Sequence, residues 1–177
     1  MALFRDLQID QIVCAGDLID KGAENEAVVD LIRHQAILTV QGNHDAKAQF
    51  NWFTYDAVLQ QASLDYLSSL PPSLTCEWEG VRVHLCHSNP WEDSSIYIYP
   101  ERPKILFQEI ARAVEAEIII MGHTHHPMVV QVDGKLLINP GSISGNRNRT
   151  ERTCGVLDLP YGKFQLYDID NGRQLAV

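Results

Sequence analysis

The chain has 177 residues, 45% of them hydrophobic and 21% charged, which suits one soluble domain with a buried core. Its formal net charge is −9, from 23 Asp+Glu against 14 Lys+Arg, and this argues against an extended nucleic-acid or anionic-membrane surface, since phosphate backbones are bound by excess Lys and Arg. No apolar run reaches the length of a membrane span, "MALFRDLQID" lacks a signal-peptide pattern, and the four cysteines form no CxxC pair, so a reducing, cytoplasmic setting is expected.

The opening residues resemble the tail of a helix, with Leu3, Phe4 and Leu7 at helical spacing, running directly into "QIVCA" (11–15), a buried strand. Residues 24–34 follow as a helix, with Ala27, Val28, Leu31 and Ile32 on one side, and "AILTV" (36–40) is the next strand. A helical region rich in Gln and aromatics then runs to "LDYLSSL" and is stopped by Pro71-Pro72. "LTCEW" and "VRVHLC" (81–86) flank Glu79-Gly80 as a hairpin, and residues 103–116 make an amphipathic helix. "EIIIM" (117–121) is the most apolar strand. The pattern then turns to hairpins: "MVVQV-DG-KLLIN" carries the Asp-Gly turn, and "CGVLDL-PYG-KFQLYDI" has a turn with glycine. Strand–helix alternation followed by hairpins predicts a single domain over 1–177, with packed sheets and helices outside.

The unusual polar residues fall at strand ends. "QIVCA" ends in Gly16-Asp17, "AILTV" in Gln41-Gly42-Asn43-His44-Asp45, "VRVHLC" in His87-Ser88, and "EIIIM" in Gly122-His123-Thr124-His125. Ligands in open α/β sheets bind outside the carboxyl ends of strands, so these groups can converge on one rim. Taken singly, each has a plain reading. Gly-Asp and Gly-Asn-His-Asp are turn sequences, and His34, His84 and His126 are read as ordinary hydrogen-bonded or rim histidines. Together, and in order at four strand ends, they predict a metal site. Imidazole, carboxylate and amide oxygen without thiolate suit Mn²⁺ first, with Fe, Zn or Ni as alternatives.

With these motifs in view the chain resembles the calcineurin-like metallophosphoesterases, closest to their small bacterial and archaeal phosphodiesterase-like members. The matching stretches are "GDLIDKG" (16–22), "GNHD" (42–45), "CHS" (86–88), "GHTH" (122–125) and "NPGS" (139–142). The resemblance implies a four-layer αββα sandwich of two mixed sheets flanked by helices, with two divalent cations at the rim. It assigns Asp17 as the bridging ligand, Asn43, His87 and His123 to one metal position, and His125 to the other. It places His44 at the phosphoryl group, with Asp45 orienting it. Arg147 and Arg152, and the aromatics Trp91, Tyr97 and Tyr99, are expected to shape substrate specificity.

The family's opening strand ends in an Asp-x-His motif that ligates the position His125 shares, and nothing of the kind precedes Gly16. The expectation is that roughly 20–25 residues, a strand and most of a helix, are missing because the recorded start is late. The alternative is a shortened chain with a single metal, or a scaffold acting through protein contacts. Without that strand, a sheet edge is expected to need cover, for instance from a second copy of the chain. The implied activity is hydrolysis of a small phosphate ester, monoester or diester, by two cations about 3.5–4 Å apart with a bridging hydroxide.

Overall fold

The computed structural model describes residues 2–20, 22–50, 59–145 and 151–177. Its widest element is a five-stranded mixed sheet built from β3 (Ser73–Trp78), β4 (Val81–Cys86), β5 (Ile118–Ile120), β6 (Met128–Val132) and β7 (Lys135–Asn139). The strands lie in the order β3-β4-β5-β7-β6, with β4, β5 and β7 parallel and hairpins at both edges. Both hairpins turn as the sequence predicts. Glu79 and Gly80 have φ of 51° and 75°, and Asp133 and Gly134 have 49° and 77°, the left-handed pair that two-residue loops with matching twist require.

Side-chain alternation assigns each face of this sheet. Ile119, Leu137, Cys86, Met128 and Val132 bury one face against helix α4 (Lys104–Ala113), which contributes Phe107, Ile110 and Ala111. Val83, Ile118 and Ile138 point the other way, onto Leu157 and Phe164 from the hairpin of β8 (Thr153–Asp158) and β9 (Lys163–Asp168). On that same face lie β1 (Val13–Cys14) and β2 (Leu38–Thr39). Val13 and Leu38 meet Leu74, Cys76, Trp78, Val83, Leu85 and Ile120 around an apolar gap. The far side of β1 is covered by Val28, Val29 and Ile32 of α2 (Asn25–His34) and Leu64 and Leu67 of α3 (Gln61–Ser69). The order of layers is therefore helix, five-stranded sheet, thin sheet layer, helices: a mixed α/β fold with sheets flanked by helices.

The thin layer is hydrogen-bonded in two separate pieces. One is the parallel pair β1–β2, and the other an antiparallel set in which β10 (Gln174–Leu175) adds to β9 and β8. The apolar runs "QIVCA" and "AILTV" each yield only two ladder residues, because ladder length depends on what lies alongside and not on hydrophobicity alone. At the start, α1 (Ala2–Asp6) closes with the Leu7 N–H on the Leu3 carbonyl, and it buries no side chain. α4 is shorter than its amphipathic pattern, since Val114 leaves the helix with φ −135° and ψ 148°. No helix among the described residues is long and apolar enough to cross a membrane, and all four cysteines are free thiols.

Candidate metal centre

The sheet places β4 beside β5 in parallel, with Leu85 level with Ile120, so their carboxyl ends open side by side. β1 and β2 end next to them in the thin layer, Cys14 level with Thr39. Four residues just past those ends meet: Asp17, Asn43, His87 and His123. His87 Nε2 lies 3.1 Å from Asn43 Oδ1, 3.2 Å from Asp17 Oδ2 and 3.2 Å from His123 Nδ1. Among the described residues, Asp17, His87 and His123 form the one group of histidine, cysteine or carboxylate atoms that lie mutually within 4.8 Å.

The outer nitrogens decide what the inner ones can do. His87 Nδ1–H donates to the Ala15 carbonyl at 2.6 Å, and His123 Nε2–H donates to the Ser94 carbonyl at 2.9 Å. Each neutral ring thereby keeps its bare nitrogen on the cluster. With both rings neutral, the His123 lone pair, an amide oxygen and a carboxylate oxygen then lie about 3 Å from the His87 lone pair with no hydrogen to share. That arrangement is repulsive unless a cation, or a borrowed proton, sits among them. The titration behaviour agrees. Burial opposes charge on His87, but its hydrogen bond to Asp17 and that carboxylate's charge outweigh it and raise the pKa. Burial would raise Asp17, yet His87 and the His44 amide hold it below the usual carboxylate value. His123 is pushed down by burial and by the neighbouring His87. A donor set of N, N, O and O with a carboxylate fits a divalent cation of the Mn²⁺, Fe or Zn kind.

Backbone strain is concentrated here. Asp17, Asp20, His123 and His125 have φ of 56°, 96°, 62° and 57°, a region disfavoured for side-chain-bearing residues by about 1–3 kcal/mol each. The His123 turn is closed by the Thr124 N–H on the Gly122 carbonyl at 2.7 Å. Asn139, at the end of β7, holds that turn by donating to the Gly122 carbonyl at 2.6 Å and the Thr124 hydroxyl at 3.0 Å. The other two strand ends interlock through glycine. A Cβ on Gly42 would lie 2.1 Å from Asp17 Oδ1, and one on Gly16 would lie 2.7 Å from the Gly42 nitrogen. Only a residue without a side chain lets these loops touch.

His44 and Asp45 separate in role. His44 donates its backbone N–H to Asp17 Oδ1 at 2.9 Å; its ring is one-third exposed, with Nδ1 3.0 Å from Asp20 Oδ2 and Nε2 3.9 Å from Asp17 Oδ2. The expectation that Asp45 orients His44 is corrected: the carboxylate on the His44 ring is that of Asp20. Asp45, 1% exposed, turns back into the loops and accepts three backbone N–H groups, from Asp17 at 2.8 Å, Leu18 at 2.9 Å and Gly42 at 2.9 Å. Its pKa is pushed up to about 6 by burial and the negative Asp17, against the pull of those bonds. The sequence signal for Asp20 was present in the Asp-x-x-Asp spacing of "GDLID", but direction could not be read from it.

Other expected residues fall outside the cluster. His125 is close enough to His123 to depress its pKa by charge, but it is not in the close group. Arg152 lies at the start of β8 with its guanidinium on Asp170, at 3.0–3.1 Å through Nε. Arg147 lies outside the described residues. Tyr97, by contrast, packs against His123, with ring centroids 4.5 Å apart.

The chain is similar to known proteins over most of its length. Residues 1–161 match the model of the calcineurin-like phosphoesterase superfamily domain. An uncharacterized protein of Methanocaldococcus jannaschii is 31% identical over 153 residues, covering 76% of this chain and 59% of that one. A probable metallophosphoesterase of Methanothermobacter thermautotrophicus is 27% identical, covering 78% of this chain and 62% of that one. The chain thus spans about three-fifths of the length of these relatives. Among solved structures, a metallophosphoesterase from Sphaerobacter thermophilus superposes with a TM-score of 0.68 at 20% identity, covering 98% of this chain and 79% of that one. A hypothetical protein from Pyrococcus horikoshii reaches 0.77 at 15% identity, covering 95% and 81%. These likenesses establish the shared fold.

Proposed function

This chain belongs to the calcineurin-like phosphoesterase superfamily, and from that premise we propose that it hydrolyses small phosphate esters at the rim formed by Asp17, Asn43, His44, His87 and His123. The observation that carries the reading is the meeting of three donor atoms, Asn43 Oδ1, Asp17 Oδ2 and His123 Nδ1, around the bare His87 Nε2. A divalent cation held there, Mn²⁺ by donor type, would supply Lewis-acid polarisation of the phosphoryl oxygens and offset their charge. A second cation would share Asp17 and take His125.

The protein's own groups account for the rest. Ala15 and Ser94 fix the tautomers of His87 and His123, so neither ring has to turn before binding. Asp17 brings a negative charge into a place 11% exposed, where water screens it weakly. His44 is the group placed to give a proton to the departing ester oxygen. Asp20 holds its Nδ1 at 3.0 Å, which leaves Nε2 on the rim side. The net charge of −9 favours a small substrate over a long polyanion.

The test is hydrolysis of p-nitrophenyl phosphate and of bis-p-nitrophenyl phosphate with added Mn²⁺, which also separates monoesterase from diesterase activity. His44→Ala is expected to lower turnover roughly 10²- to 10⁴-fold with Mn²⁺ content unchanged. Unchanged turnover would remove His44 from the chemistry. A chain that binds Mn²⁺ and cleaves neither ester would overturn the phosphoesterase reading.

A further inference from the structure

Beside the cluster, the segment between β4 and α4 carries an arrangement of rings that metal binding does not use. Tyr97 and Tyr99 alternate with Ile98, which is 2% exposed and anchored in the core against α4. The two tyrosines therefore leave the core side together. Their rings are nearly parallel, at 9° with centroids 6.1 Å apart. Tyr97 continues onto His123 at 4.5 Å, and Tyr99 onto His126 at 6.1 Å. The ladder is held at its backbone, where Arg102 Nε donates to the Tyr97 carbonyl at 3.0 Å. The same segment supplies the Ser94 carbonyl that fixes His123. Tyr97 is nonetheless 42% exposed, so a ring in contact with a metal-cluster histidine still presents surface to solvent.

We infer that Tyr97 and Tyr99 form a stacking shelf for a planar aromatic group on the substrate, so that the preferred esters are nucleoside or aryl phosphates and not alkyl or sugar phosphates. This rests on the phosphoesterase reading and names the substrate class of that site. A phosphoryl group at the cluster sits one ring's width from the shelf, since Tyr97 touches His123. Parallel aromatic faces accept another flat ring with offset stacking, and they do so with little regard to the identity of a base. Glu92 and Asp93 lie exposed in the same segment, and their negative charge opposes further phosphates, which favours a mononucleotide over a strand.

The experiment uses phosphonates, whose carbon–phosphorus bond is not an ester, so that binding is read without turnover. Dissociation constants for phenylphosphonate, cyclohexylphosphonate and methylphosphonate are measured by calorimetry on the Mn²⁺-loaded protein. Phenylphosphonate is expected to bind roughly tenfold more tightly than either of the others. Tyr97→Leu should bring the three within about twofold, and Tyr97→Phe should restore the preference, with Mn²⁺ content as the check that His123 is undisturbed. Equal affinity for the phenyl and cyclohexyl compounds would overturn the shelf, as would the absence of binding by any of them. Phenyl-selective binding in a protein that cleaves no p-nitrophenyl ester would keep the shelf and discard the phosphoesterase reading.

Discussion

The two walls of the rim hold their halves of the cluster by different means. His87 and His123 stand at the ends of β4 and β5, which are central in a five-stranded sheet and hydrogen-bonded on both sides. Asp17 and Asn43 follow β1 and β2, a pair with two ladder residues each. What the thin wall lacks in ladder bonds it replaces with one buried carboxylate: Asp45 gathers the N–H groups of Asp17, Leu18 and Gly42. One wall is positioned by the sheet, the other by a side chain and two glycines. The stability of the fold and the geometry of the site should therefore be separable on the thick wall and inseparable on the thin one.

Asp45→Ala should give the largest effect, because it leaves three backbone donors without their acceptor. A loss of at least about 3 kcal/mol in urea denaturation is expected, together with a loss of Mn²⁺ affinity. Ile119→Ala opens a cavity at a fully buried position of β5 and should cost about 2–4 kcal/mol, yet leave Mn²⁺ affinity within about threefold. If Ile119→Ala weakened the metal as much as Asp45→Ala, the contrast between walls would be gone. Gly42→Ala forces a methyl group onto Asp17 and should cost about 1–3 kcal/mol, with metal affinity falling alongside.

The smallest effect concerns His84, on the α4 side of β4. Its Nδ1 pairs with the Thr75 hydroxyl at 2.9 Å, while its buried Nε2 has no partner among the described residues. Burial depresses its pKa, and Glu92 pushes only partly back. The unfolded chain then takes up this proton first as pH falls. The contribution is full above about pH 6.5, the ordinary value, and is lost as pH falls through the lower folded value. His84→Leu should flatten the acid limb of stability, read as a smaller drop in the urea midpoint between about pH 7.5 and about pH 5.5 in EDTA.

Much of this was legible in the sequence. Apolar runs located β4, β5 and β7, the Glu-Gly and Asp-Gly pairs set both hairpins, and glycine beside Asp, Asn and His marked the strand ends that meet. Direction was not legible. Asp45 adjoins His44 in the chain, but it opens a 3₁₀ turn (Asp45–Phe50) and faces inward, whereas Asp20 arrives at the ring from another loop with φ 96°. Pairing was not legible either, since "QIVCA" is as apolar as a full strand but has only a two-residue neighbour. The second carbonyl partners, Ala15 and Ser94, belong to backbone and leave no mark on residue type.

The central claim is that Asp17, Asn43, His87 and His123 hold one divalent cation. Calorimetric titration with Mn²⁺ tests it directly. The wild-type chain should show a tight site that weakens at least about a hundredfold in His87→Ala and in His123→Ala. His34→Ala, an exposed helix histidine bonded to the Asp30 carbonyl, should leave it unchanged. A His87→Ala protein that binds Mn²⁺ as tightly as the wild type would contradict the account.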